Sequence, residues 1–168
     1  MAQSVMQYLV DNASLSEKFY IDSAATSREE IGNGVHYGTR EKLRKEKIPC
    51  IPHRARQITI DDYNDFDFLI GMDSENISNM RRILGEDTDG KFHKLLEYAQ
   101  INQSARMNDS FARITNADYK FTNGKTFRSM ENIPDIADPW YTGNFDETFT
   151  DVMAGCSGLF SFLCGKID

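Results

Sequence analysis

The strongest constraint on this chain lies near its end. Phe145, Phe149, Val152, Met153, Cys156, Leu159, Phe160 and Leu163 recur at helical spacing. Residues three and four apart share a helix face, so the series forms one apolar stripe that should pack against a sheet. The earlier sequence supplies candidates for that sheet. Residues 2 to 13 read as a helix with Val5, Met6, Leu9 and Ala13 on one face. FYIDSAATS, 19 to 27, reads as a short buried strand that ends in small polar residues, and TREKLRKEK as a polar, exposed helix. DFDFLIGMD, 65 to 73, centres a second strand on Phe68, Leu69 and Ile70, and DSENISNMRRIL offers Asp or Ser to cap a helix. FHKLLEYA, 92 to 99, fits a strand or half a helix, and the alternation around it favours the strand. Helices alternating with strands at this spacing imply a three-layer α/β/α domain with a parallel sheet.

One irregularity stands out, because the series opens on a helix although parallel layers are built from strand–helix–strand units. The expectation is a single domain over 1 to 168 whose first strand is missing. That loss would leave two sheet edges unsatisfied, so the expectation includes a second copy or another partner that supplies the strand. The polar, Asn-rich stretch from Gln100 to Pro134 reads as an insert, and Asn123-Gly124 within 119 to 128 signals a hairpin.

Composition excludes several functions. A net charge of −7 and a pI of about 5.0 argue against a general nucleic-acid or anionic-membrane surface. No apolar run approaches the roughly 20 residues of a membrane span. Neither does the N-terminus show a secretory pattern. Cys50, Cys156 and Cys164 form an odd set without framework spacing, which fits a reducing, cytoplasmic setting. His36, His53 and His93 are scattered, so no metal or other cofactor is expected.

The candidate chemistry sits in DIADPWYTGNFDET, 135 to 148. Pro139 keeps Asp138 out of the helical region, and two large aromatics follow in a turn segment that ends at Gly143. Such a loop is suited to holding a carboxylate at the mouth of an aromatic-walled cleft. Taken alone, it is also an ordinary Asp-Pro turn.

In order along the chain, MAQSVMQYLV, IDSAATSREEIGN, IPHRARQIT, FDFLIGMDSEN and DPWYTGNFDETF resemble segments of the low-molecular-weight protein tyrosine phosphatases. The resemblance implies that a cysteinyl-phosphate intermediate carries phosphotyrosine hydrolysis, with a protein phosphotyrosine or a small aryl phosphate as substrate. It implies that Asp138 is the general acid and that Trp140 and Tyr141 flank the aryl ring. Glu29 and Glu30 fall at the pocket rim, where the family usually has an aromatic at one position, and Ser23 matches a serine that supports the catalytic loop. His53 and Arg56 read as structural residues that bond loop backbone.

The family's phosphate loop, a Cys, five residues and an Arg, is expected immediately before Met1 and is not among these residues. Cys50 and Arg56 have the right separation. However, Pro52 offers no N–H, and His53 and Arg54 are bulky where small residues are needed. Cys156 and Cys164 read as buried structural thiols. The chain is therefore expected to be inactive as it stands. The alternatives are a pseudophosphatase binding proteins through the Trp140–Tyr141 rim and the insert, or a structural domain completed by oligomerisation.

Overall fold

A computed structural model of the protein describes residues 1–99 and 133–167. In chain order it contains α1 (Ala2–Asn12), a 3-10 turn (Ser16–Lys18), α2 (Tyr37–Lys45), α3 (Ile60–Asp65), β1 (Leu69–Gly71) and α4 (Ser74–Leu84). These are followed by β2 (Phe92–Lys94), a second 3-10 turn (Leu95–Glu97), α5 (Pro139–Thr142) and α6 (Phe145–Cys164). The expected hairpin at 119 to 128 and most of the insert lie outside the described residues.

Successive side chains of a strand point to opposite faces, and β1 shows what this achieves. Leu69 faces Tyr63 and Met80 beneath α3 and α4. Ile70 packs on the other side, against a larger core built by Val5, Leu9, Leu43, Phe149, Val152 and Phe160. The sheet therefore has helices on both faces, as the three-layer reading requires. β1 and β2 pair in parallel, with Leu69 opposite Phe92 and Gly71 opposite Lys94, and α4 makes the crossover. Asp73 starts α4 by accepting from the Asn76 amide at 2.6 Å.

Two expectations need correction. Residues 19 to 27 form no ladder: Ala25 alone bridges to Gln57, through Ala25 N–Arg56 O at 2.8 Å and Ile58 N–Ala25 O at 2.9 Å. The chain there is extended, but an extended segment becomes a strand only where a neighbour pairs with its backbone. Tyr20 is 81 % exposed, so the segment is not a buried one either. The 92 to 99 segment, in turn, is strand and helical turn in succession. Glu97 reaches back to accept from the Lys94 amide at 2.7 Å, which ends β2 and starts the turn that buries Leu95 and Leu96.

The last helix meets that turn through glycine. A Cβ on Gly155 would stand 2.6 Å from Leu95 Cγ, and one on Gly158 would overlap the Tyr98 carbonyl. The stripe seen in the sequence therefore contains a flat patch where main chain lies on main chain. Gly158→Ala would ordinarily raise helix propensity by about 1 kcal/mol. Here the backbone of 98–99 has to move instead, and a net loss of at least about 2 kcal/mol is expected. Urea unfolding of the two chains measures it, and equal stability would refute the contact.

Candidate active site

Ligands of open parallel α/β sheets bind beyond the carboxyl ends of the strands. A cavity of about 1290 Å³ runs the length of β1, from Phe66 and Phe68 before it to Met72 and Asp73 beyond its carboxyl end, and Ser23, Asp138 and Val152 are among its other lining residues. Asp138 arrives at it by a short, well-tied path. The Asp135 carboxylate accepts from the Ser74 amide at 2.8 Å and its hydroxyl at 2.9 Å, and pairs with Lys94 at 2.6 Å. Partial burial raises Asp135, but the Lys94 and Ser74 bonds outweigh it and hold the carboxyl below its ordinary value. The Ile133 carbonyl accepts from the same lysine. Ile136 N then donates to Met72 O at 2.9 Å, extending the edge of β1, and Thr148 Oγ1 holds the Ala137 carbonyl at 2.9 Å.

Asp138 follows with φ −70° and ψ 119°, the extended conformation that Pro139 imposes, and caps α5 by accepting from Trp140 N at 2.8 Å. Proline at the first helical position suits this start, and Gly143 at φ 68° ends the turn. The expected turn is thus a single helical turn. Trp140 and Tyr141 project from it 63 % and 84 % exposed, beside the cavity and not in its lining.

The opposite wall carries Ser23. Its hydroxyl donates to Gln3 Oε1 at 2.8 Å, and Gln3 Nε2 donates to Ile21 O at 3.2 Å. Gln3, which sequence reasoning passed over, therefore holds this wall to α1. Glu29 and Glu30 are exposed and stand outside the cavity lining, with Glu30 accepting from Asn33 Nδ2 at 2.7 Å.

Arg56 is structural, but its partners are side chains and not the loop backbone expected from the sequence. Its guanidinium forks to Asp62 at 2.8 and 2.9 Å and to Asp22 at 2.7 and 3.2 Å. His53 likewise faces side chains, with Nε2 3.5 Å from Ser23 Oγ and Nδ1 4.0 Å from Asp22 Oδ1. It is Arg54 that meets a loop carbonyl, that of Gly32 at 3.0 Å. Asp22 and Asp62 were not singled out in the sequence. Thr59 and Asp62 do form a legible capping box, with Thr59 N donating to Asp62 Oδ2 at 2.8 Å.

This arrangement leaves Cys50–Arg56 without the features of an anion cradle. The Ile51 amide donates to Ser4 Oγ at 3.1 Å, the Ala55 amide donates to Asn33 O at 2.8 Å, and the arginine is held by two carboxylates. Cys156 is buried, and burial pushes its thiol up to about 12, so it is neither an accessible thiol nor a thiolate at neutral pH. Cys164 is half-buried, less enclosed than expected, and burial raises it as well.

A parallel sheet flanked by helices, with a carboxylate loop at the strand ends, defines the class as a three-layer α/β protein with a strand-end site. The model of the family described as low molecular weight phosphotyrosine protein phosphatase matches residues 1–120. The low molecular weight protein-tyrosine-phosphatase YfkJ of Bacillus subtilis (strain 168) is 32 % identical over 161 residues, covering 96 % of this chain and 85 % of its own. Among solved structures, YfkJ from Bacillus subtilis superposes with a TM-score of 0.76 at 29 % identity, covering 99 % of this chain and 87 % of the other. SP-PTP, the low molecular weight protein tyrosine phosphatase from Streptococcus pyogenes, gives 0.69 at 30 % identity, covering 96 % and 82 %. The chain belongs to the low molecular weight phosphotyrosine protein phosphatase family. Among the described residues, no helix is long and apolar enough to cross a membrane.

The Arg56 network makes a pH prediction. The Arg56 hydrogen bonds are the largest influence on Asp62 and hold it below the ordinary carboxylate value near 3.9. Burial raises Asp22, but Arg56 and the Ser23 amide more than offset it, so Asp22 is lowered too. Both then contribute stability that is present above the ordinary carboxylate value and lost as pH falls through their lowered values. Arg56→Lys keeps the charge without the fork. It should cost about 1–2 kcal/mol at neutral pH and flatten the fall in stability below about pH 4. Urea unfolding across that range checks both effects, and superimposable curves would refute the network's role.

Proposed function

We propose that this chain carries the acid–base half of a phosphotyrosine hydrolase, with Asp138 protonating the phenolate leaving group and then activating water. The observation that carries the reading is the placement of Asp138 on the cavity at the carboxyl end of β1, on a loop tied down at Asp135 and Ile136. Trp140 and Tyr141, projecting beside it, are proposed as the rim that receives the aryl ring of the ester. Glu29 and Glu30 are proposed as the far rim, where carboxylates in place of an aromatic disfavour acidic substrates. Ser23, braced by Gln3, is proposed to shape the cavity wall.

Hydrolysis through a phosphoenzyme also needs a thiolate to attack phosphorus in line and amides that hold the phosphoryl oxygens. No cysteine of the chain meets that need: Cys50 lacks converging amides, Cys156 is buried, and Cys164 sits at the end of α6. We therefore propose that these 168 residues alone hydrolyse no aryl phosphate, because an acid without a nucleophile leaves the phosphorus–oxygen bond intact. The exposed aromatic rim also supports a second reading, in which the chain binds partner proteins without catalysis.

Incubation with p-nitrophenyl phosphate should release phenolate no faster than the uncatalysed background. Turnover that Cys50→Ser abolishes would show that the 50–56 segment is a nucleophile loop after all. Turnover that survives that change and is lost in Asp138→Asn would place the nucleophile elsewhere.

A further inference from the structure

The imidazole of His36 lines the cavity and stands against the proposed aryl rim, outside the loop that carries Asp138. It caps α2, its Nδ1 accepting from the Gly38 amide at 3.1 Å while its carbonyl receives Arg40 N at 3.1 Å. On one side its ring lies parallel to Phe145, with centroids 5.5 Å apart and an interplanar angle of 1°. It also meets the Trp140 indole at 5.4 Å and 75°, an edge contact. Phe145 reaches this place because Gly38 has no side chain, and a Cβ there would overlap the phenyl ring. Three elements, the start of α2, the acid loop and the start of α6, therefore meet at one histidine.

We propose that His36 is a positioning residue that holds the Trp140 indole at the rim only while its imidazole is neutral. The inference rests on the reading of Trp140 as an aryl wall. Nδ1 accepts a hydrogen bond, so it carries no proton in this arrangement, and the neutral ring is the Nε2–H tautomer. A second proton has to go to Nδ1. It turns the acceptor into a donor facing the Gly38 N–H, which breaks the cap, and puts a positive charge at a helix N-terminus, where the macrodipole repels it. The ring then has to leave its slot, and the indole loses its edge contact.

Carboxylates stand on the surrounding elements, and Glu147 and Asp138 bond neutral donors, but none of them restores the acceptor that the Gly38 N–H loses. On α6, Asp146 is paired with Lys42 at 2.7 Å and Glu147 is bonded to Asn144 at 2.9 Å. Asp138 on the acid loop is engaged with Trp140 N at 2.8 Å, and Arg40 on α2 itself is a cation. Tyr37, whose ring lies 5.3 Å from His36, adds no charge at neutral pH.

Trp140 is the chain's single tryptophan, so its emission reports on this contact without any turnover. Loss of the imidazole edge contact changes the surroundings of the indole, and its emission follows. Emission followed from about pH 8 to about pH 5 should change along a one-proton curve in the native chain, and that change is the step read below. His36→Asn keeps an N-cap of comparable strength and should abolish the step. His36→Phe keeps a ring against Trp140 with nothing to protonate, and should also give a flat profile. His53→Asn should retain the step.

A flat profile in the native chain, or a step that survives in both His36 variants, overturns the proposal. Circular dichroism of each variant across the range shows whether it is folded, and the native profile stands as a test whichever variant folds. Loss of the step leaves the aryl-wall reading untouched. A failed aryl wall would show instead as Trp140→Ala having no effect on aryl-ester recognition, with the step in the native chain intact.

Discussion

The Asp135 carboxylate joins the chain's two described segments at the point that matters most for the site. Ser74 opens α4 and Lys94 closes β2, and both converge on a residue 61 positions beyond Ser74. Without that anchor the loop carrying Asp138 would hang from α6 alone. With it, the Ile136 amide continues the hydrogen bonding of β1, and Asp138 follows on the cavity wall. The carboxylate is half exposed, so each bond is modest. Several act on one short stretch of backbone, and together they leave it little freedom.

A second tie works at the opposite wall. Asp22 and Asp62 share Arg56, which draws the extended 19–25 segment toward the start of α3. Bidentate guanidinium–carboxylate geometry is directional as well as attractive. The wall is thus located by side chains on a stretch where the main chain makes a single bridge. Ser23 and Gln3 complete the hold from α1.

Much of the fold was legible because it is periodic. The eight-residue stripe of α6, the first helix and the Asp73-capped α4 all follow from spacing and caps that act locally. β1 was legible for a similar reason, as a short apolar run before a capped helix. The 19–27 segment was misread because its status depends on a neighbouring backbone, and spacing carries no information about that neighbour. The site divided in the same way. The extended backbone of Asp138 could be read from a local rule, the restriction that proline places on the residue before it, whereas its assignment to the site came from the order of the family-like segments. Asp135, Gln3, Asp22 and His36 act through partners distant in the chain, and nothing in their own surroundings distinguishes them from solvated polar residues. The composition of α6 also concealed a point, since Gly155 and Gly158 look like weaknesses in a helix until Leu95 and Tyr98 are seen against them.

That glycine patch bears on which substitutions this interior can absorb. Where a helix rests on a sheet through interlocked side chains, each change of residue size shifts the separation between them. Here the spacing is set by peptide groups touching at Gly158 and Tyr98, which no exchange of neighbouring apolar residues alters. The bulky residues around it are free to drift while the distance from the final helix to the strand ends stays constant. The placement of α6 in this chain is thereby uncoupled from the exact composition of its hydrophobic interior.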